Sequence, residues 1–374
     1  MKLILAVFFT FIAGGLTAGV SPLAVGAFVD DLGFTEAAAG SLVTFEMTAM
    51  CVAAMLLANL ISRTSRRRWA YIGAVVTVIG QSVSTYFSDF QTLTIIRIVT
   101  GLGEGTCFAT ASAAAAGAAE PDRLFAQVMF FQMILWGILL AVLPVVILSY
   151  GCAGLFWTLA LLTVMAMPCM AWLPDLDMIQ KNRQKGRTPH MKTGIMTMMA
   201  FSVISVTGSA VWSLSERIGL KTGLNLKAVG MILGIATIAG IAGSGAAAWL
   251  GIRWGRRLPL FFGIGASTFA MVMIAAIYEP ISFTTNQVIW GVAYAFMTPY
   301  MMGVAAALDP LGRWTATASG VTIGASALGP IIGGMLIGWG LALVSGLSGI
   351  FTFVLLLPVL RYVDERIADN NEHT

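Results

Sequence analysis

Twelve strongly apolar segments follow one another almost from end to end of this 374-residue chain. They fall at roughly 3–28, 37–59, 69–87, 90–113, 124–149, 152–173, 193–215, 227–250, 259–278, 283–307, 314–338 and 341–360. A helix needs about 20 apolar residues to cross some 30 Å of hydrocarbon, so twelve such helices and their turns use nearly the whole sequence. Only 10% of residues are charged, 58% are apolar and the mean hydropathy is +0.88. A soluble domain carries about 25% charged residues. The expected fold class is therefore an all-α membrane protein of about 12 transmembrane helices. The first segment resembles a secretion signal, but its apolar run continues past Pro22 to Phe28, longer than the usual signal core, and it reads as a retained first helix.

The basic residues lie in short loops and set an orientation. With the N-terminus in the cytoplasm, Lys2, Arg63, Arg66, Arg67, Arg68, Arg123, Arg253, Arg256, Arg257, Arg313, Arg361, Arg366 and five linker residues, Lys181, Arg183, Lys185, Arg187 and Lys192, all fall inside. Arg217, Lys221 and Lys227 fall outside, and Arg97 lies within a helix. This asymmetry places both termini in the cytoplasm and requires an even number of helices. It also accounts for the pI near 9.0 without any nucleic-acid partner. The longest polar stretch, Pro174 to Lys192, divides the chain into an N-terminal six-helix bundle (1–173), a cytoplasmic linker (174–192) and a C-terminal six-helix bundle (193–374).

An internal repeat supports that division. A gapless shift of 190 residues pairs Gly33 with Gly223, Gly40 with Gly230, Ala58 with Ala248, Arg63 with Arg253, and Arg66-Arg67 with Arg256-Arg257. Gly73 meets Gly263, Gly101 meets Gly291 and Arg123 meets Arg313 in the same register. Two related six-helix halves in parallel orientation are one established architecture of secondary transporters.

At these residues the sequence resembles the major facilitator superfamily over essentially its whole length. The family's loop signature G-x-x-x-D-R-x-G-R-R is similar to the stretch from Ala58 through Ser62, Arg63 and Ser65 to Arg66, Arg67 and Arg68, and to its copy from Ala248 through Ile252, Arg253 and Gly255 to Arg256 and Arg257. Both copies keep the arginines, while Ser62 and Ile252 replace the acid that latches the halves in the family. The resemblance implies a gating loop formed by Arg63, Arg66, Arg67, Arg253, Arg256 and Arg257. The fourth segment carries Arg97, Gly101 and Gly103 in an arrangement similar to the family's R-x-x-x-G-x-G pattern, and the added Glu104 resembles organic-anion symporters and spinster-like branches. An antiporter-type glycine series is not formed in the fifth segment, where Gly137 and Pro144 stand apart. A Gly329-Pro330 step instead marks close packing or a bend in the eleventh.

Charge inside a membrane is costly, so it faces a cavity, a partner or both. Three charges lie well inside the segments: Glu46, Arg97 and Glu104. Arg97 and Glu104 are seven residues apart and share a helix face. Glu104 and Glu46 are the candidate proton-coupling carboxylates, and Arg97 is their partner or an anchor for an anionic solute. The corresponding positions of the second half are Gln287, Tyr294 and Ala236, so the tenth helix offers Asn286, Gln287, Trp290 and Tyr294, a neutral wall for hydrogen bonding and stacking. Trp212 on helix seven and Gln132 and Trp136 on helix five are further candidates for solute contact. Glu216 and Arg217 read as a surface pair at a helix end.

No enzymatic constellation is present: His190 and His373 lie in the linker and tail, there is no phosphate-binding G-x-x-x-x-G-K-[ST], and Cys51, Cys107, Cys152 and Cys169 have no metal-type spacing. No metal and no cofactor is expected. The expectation is a monomeric, multi-pass transporter of the bacterial inner membrane that moves a small organic solute, with protons as coupling ion and a lean to symport of an organic anion. Proton-driven efflux of hydrophobic compounds is the alternative within transport, and a non-transporting membrane sensor is the alternative outside it.

Overall fold

The computed structural model describes residues 2–61, 64–118, 120–174, 191–251, 253–308 and 313–372. Among them all regular structure is helical, as lipid demands: hydrocarbon offers no partner to an unpaired peptide group, and a helix satisfies its own. The helices are α1 (Lys2–Ala13), α2 (Leu16–Gly19), α3 (Ser21–Asp30), α4 (Glu36–Ile61), α5 (Arg66–Ser84), α6 (Phe90–Ala116), α7 (Pro121–Met170), α8 (Met191–Lys221), α9 (Leu226–Leu250), α10 (Arg257–Ala276), α11 (Pro280–Leu308), α12 (Arg313–Ala327), α13 (Gly329–Leu336) and α14 (Trp339–Glu372).

These fourteen helices make twelve spans. The first span is not the single run its hydropathy predicts; it is broken into α1, α2 and α3. Gly14 and Gly15 interrupt the helix after Ala13, and Pro22, which has no N–H to donate, stands at the start of α3. The run from Pro121 to Met170 holds two spans that turn at Gly151, where φ is 60°, a conformation natural only to glycine. The Asp31 carboxylate accepts the Cys152 amide just beyond that turn. The eleventh span bends between Ala327 and Gly329, at the expected Gly-Pro step. Seven helices are by themselves long and apolar enough to cross a membrane, the longest covering two spans over Arg123–Met170. The shortfall from twelve lies in the broken first and eleventh spans and in α5 and α6, whose arginines and hydroxyl residues lower their hydropathy.

The chain forms two compact units: Met1–Arg183 with Pro330–Met335, and Gln184–Gly329 with Leu336–Thr374. Within the first, α4 and α5 pack on α6, and α1 and α5 on α7; the Ile331 amide is donated to Thr44 Oγ1, 3.0 Å away. Within the second, α9 and α10 pack on α11, and α8 and α10 on α14. Residues 175–190 and Arg63 lie outside the described residues, so the expected linker and one gating arginine have no structural account.

The 190-residue register is also a register of contacts. Gly33 and Gly223 both adopt positive φ, 69° and 90°, in the turn that precedes the second span of each half. Two residues later Thr35 Oγ1 accepts the Ala38 amide at 3.2 Å, and its counterpart Asn225 Oδ1 accepts the Ala228 amide at 2.9 Å, capping each helix. Gly101 lies against the backbone carbonyl of Glu46, and Gly291 against that of Ala236. Gly73 lies against Cys107, and Gly263 against Met297. Each partner is again displaced by 190.

These approaches generate a paired prediction. Gly101→Ala and Gly291→Ala each place a methyl on a facing carbonyl and are expected to cost about 1–3 kcal/mol through overpacking. Gly245→Ala and Gly265→Ala, which face nothing within 4 Å, should be neutral. Thermal unfolding of purified protein in detergent measures the contrast.

Candidate functional site

Three of the sequence-derived candidates converge in the first unit. The glycine contact of α6 on α4 brings Arg97 Nη1 within 3.1 Å of Glu46 Oε1, with the two side chains 1% and 0% exposed. The guanidinium makes a dense set of bonds. Nη1 also donates to Gln81 Oε1 at 3.0 Å, and Nη2 faces Ser84 Oγ at 2.6 Å, the Gly80 carbonyl at 3.2 Å and Thr100 Oγ1 at 3.2 Å. Its carbon sits 4.7 Å from the centre of the Phe156 ring, a cation–π contact that is strengthened by the burial of both groups. Both Nη groups of Arg97 are thus engaged within the protein. Arg97 stands beside Glu46 as the partner of a candidate carboxylate.

Glu104, 1% exposed, is reached through a hydroxyl. Thr17 Oγ1 lies 2.7 Å from Glu104 Oε1 and 3.2 Å from Glu46 Oε1, and Gln81 Nε2 stands 3.5 Å from the same hydroxyl oxygen. Thr17 occupies α2, the four-residue piece in the middle of the broken first span. The break is what delivers it. Gly14 gives α6 room to bring the Glu104 carbonyl and the Phe108 backbone against the chain, and one turn later Thr17 points at the carboxylates. The set holds one guanidinium and two carboxylates, so one bound proton makes it neutral.

Gln132 and Trp136 do not join this network, but they pack on the same broken segment. The Trp136 indole lies on Gly19, and Gln132 Nε2 approaches Gly15. Among the described residues, Gln132 Oε1 and Trp136 Nε1 are buried without a hydrogen-bond partner.

In the second unit the neutral wall takes form on α8 and α11. The Trp212 and Trp290 rings are 6.1 Å apart at 52°, and Trp290 and Tyr294 are 6.2 Å apart at 64°. Gly208 faces Trp290 and Tyr294 with ordinary van der Waals room. Gln287 Nε2 donates to Ser215 Oγ at 2.9 Å, while Gln287 Oε1 and Trp290 Nε1 are buried without a partner among the described residues. Asn286 instead bonds back along its own helix, to the Ser282 carbonyl at 2.8 Å.

One expectation is corrected here. Glu216 and Arg217 are not at the surface: Glu216 is 1% and Arg217 9% exposed, and the guanidinium grips the carboxylate through Nε at 2.6 Å and Nη2 at 2.8 Å. Hydropathy placed them near a helix end, yet α8 continues to Lys221 and packs them inward. The second unit therefore does hold buried charge, in an ion pair of neighbouring residues.

Two of the loop arginines lie at helix ends. Arg67 Nε donates to the Leu173 carbonyl at 2.7 Å, and Arg66 reaches Gly117, which caps the C-terminus of α6. Cations at C-terminal carbonyls complement the helix dipole. Arg256 approaches Gly303 on α11, and Arg253 stacks 5.6 Å from the Trp249 ring. Arg257 is exposed.

Sequence reading missed Thr17, Gln81, Ser84, Thr100 and Phe156. Single hydroxyls and amides in apolar helices carry no distinctive pattern; the one usable signal was Gly14-Gly15 followed by Pro22, which marks where the first helix opens.

No curated protein sequence matches the chain. Among solved structures, the nucleoside transporter NupG superposes with a TM-score of 0.72 at 13% identity, covering 96% of this chain and 98% of that one. A point-mutant form of the same transporter gives a TM-score of 0.75, also at 13% identity, covering 96% and 99%. A bacterial homolog of the human lysosomal transporter Spinster, inward-facing and unoccupied, gives a TM-score of 0.67 at 14% identity, covering 97% and 95%. These likenesses show the fold, twelve transmembrane helices in two six-helix bundles. The family model described as Major Facilitator Superfamily matches residues 3–193, half of the chain, and on that match together with its internal repeat the chain belongs to the major facilitator superfamily of transporters.

Proposed function

We propose that this transporter moves a small organic solute by alternating access, driven by a proton gradient, with Glu104 and Glu46 as the proton-carrying groups. The observation that carries the reading is the imbalance of the buried cluster. Arg97 and Glu46 by themselves neutralise each other and balance the charge of a structural pair. Glu104 adds a second carboxylate where uncompensated charge is most expensive, and a proton removes that expense. A site that is neutral with one proton and negative without it is suited to alternate between the two.

The solute side of the proposal rests on Trp212, Gln287, Trp290 and Tyr294. Stacked rings beside an unpartnered amide oxygen and an indole N–H suit a solute with an apolar or aromatic body and a polar edge. The two structural relatives are themselves transporters, one of them of nucleosides, which supports transport. With the Arg97 Nη groups occupied, an organic anion is one class to test beside neutral aromatic solutes. Uptake by symport in a bacterial inner membrane, as a monomer with both termini cytoplasmic, completes the proposal.

Two outcomes are expected. In proteoliposomes given a pH difference and a panel of organic anions and neutral aromatic solutes, Glu104→Gln abolishes accumulation against a gradient but preserves exchange. Accumulation at the wild-type level would remove Glu104 from the mechanism. Second, Arg97→Gln or Glu46→Gln alone should destabilise the protein by about 3–5 kcal/mol, because each leaves a buried charge unpaired. The double variant should recover most of that loss in thermal unfolding; equal loss in single and double variants would show that the pair is not what holds the two helices.

A further inference from the structure

Thr17 has one hydroxyl hydrogen and two carboxyl neighbours, and that count restricts where the protons lie. A hydroxyl donates once and accepts through two lone pairs. Its oxygen is 2.7 Å from Glu104 Oε1 and 3.2 Å from Glu46 Oε1. If both groups were carboxylates, one of these contacts would set lone pairs against each other at hydrogen-bond distance, in a site closed to water. Both contacts are satisfied when one carboxyl is protonated and donates to Thr17, while Thr17 donates to the other. Glu46 Oε1 already accepts from Arg97 Nη1 at 3.1 Å, so Glu46 is the acceptor end and Glu104 the donor end. The remaining lone pair of Thr17 faces Gln81 Nε2 at 3.5 Å.

We infer that the Thr17 hydroxyl is a proton relay between Glu104 and Glu46. The step balances within the three side chains. The Glu104 O–H bond breaks as its proton moves to Thr17 Oγ1, and the hydrogen that Thr17 held moves to Glu46 Oε1. Glu104 becomes a carboxylate, Glu46 a carboxylic acid and Thr17 a hydroxyl again. The result is that the negative charge leaves the Arg97 guanidinium and appears seven residues further along α6. Other side chains around the relay do not compete for this role. α5 contributes Gln81 and Ser84, and α7 the uncharged Phe156 ring. Cys107, one turn from Glu104, gives its thiol to the Ala70 carbonyl at 3.5 Å, Cys152 is a buried thiol, and Asp31 is engaged by the Cys152 amide.

The relay's place in transport rests on the proton coupling proposed above, whereas the position of the proton can be read without any solute. Infrared spectra of the full-length protein in liposomes, in H2O and D2O, are expected to contain a buried carboxylic-acid carbonyl band. That band should vanish in Glu104→Gln. In Thr17→Val, which keeps the shape and removes the hydroxyl, it should move to higher frequency because the acid loses its acceptor, and in Thr17→Ser it should return to the wild-type position. A band that survives Glu104→Gln, or that Thr17→Val leaves unmoved, overturns the inference. Where Glu104→Gln loses accumulation, Thr17→Val protein that accumulates solute under a pH difference as well as wild type also overturns it. The Glu104→Gln and D2O arms decide the matter even if Thr17→Val does not fold. Accumulation that persists in Glu104→Gln with the infrared shifts intact would instead remove the transport reading and leave the relay standing.

Discussion

The approach of α6 to α4, backbone on backbone at Gly101 and the Glu46 carbonyl, is the constraint from which the first unit is built. Two helices that meet through a glycine bring their flanking side chains closer than leucine-lined helices can. Here the flanking residues are Glu46 and Arg97, so the packing contact and the ion pair are one feature. Once the guanidinium is fixed, its remaining donors dictate what α5 must offer: Gln81, Ser84 and the Gly80 carbonyl. Lipid supplies none of these bonds, so the protein has to. The cluster is polar machinery held by apolar packing, and neither is stable there without the other.

The second unit shows the same scaffold with that machinery left out. Gly291 rests on the Ala236 carbonyl as Gly101 rests on Glu46, Gly263 on Met297 as Gly73 on Cys107, and Asn225 caps its helix as Thr35 does. Yet alanine, glutamine and tyrosine stand where the first unit has its two acids and its arginine. The contacts that place helices have been kept through the repeat while the side chains between them have changed. The backbone contacts that place the helices are a different set from the side chains that vary between the halves, which explains how one architecture accommodates both a charge cluster and an aromatic wall.

Much of this was legible beforehand because periodicity, glycine register and loop charge are long-range patterns. Twelve spans, the two related halves and the shared helix face of Arg97 and Glu104 all follow from such patterns. What was not legible depends on local backbone geometry. A hydropathy average treats residues 3–28 as one rod, although Gly14, Gly15 and Pro22 divide it. Because the rod was read as straight, Thr17 had no reason to stand out from any other threonine that bonds to its own helix. Glu216 and Arg217 failed for a related cause: their depth depends on where α8 ends, and that helix stays buried through Gly219.

The tie between Asp31 and the Cys152 amide gives the broken first span a mechanical character. α3 leads directly into Asp31, whose carboxylate is fastened to the turn at Gly151, while the far side of the break is pressed against α6 at Gly14. A rod clamped at its end and at its middle can yield where its hydrogen-bond ladder is interrupted, and the interruptions stand at Gly14–Gly15 and at Val20, on either side of Leu16–Gly19. Between the two breaks lies a segment of four residues, and the side chain that it points inward is the hydroxyl between the two acids. The first span is thus a jointed rod, held at its end and at its middle, whose short central piece carries the hydroxyl that the two acids share.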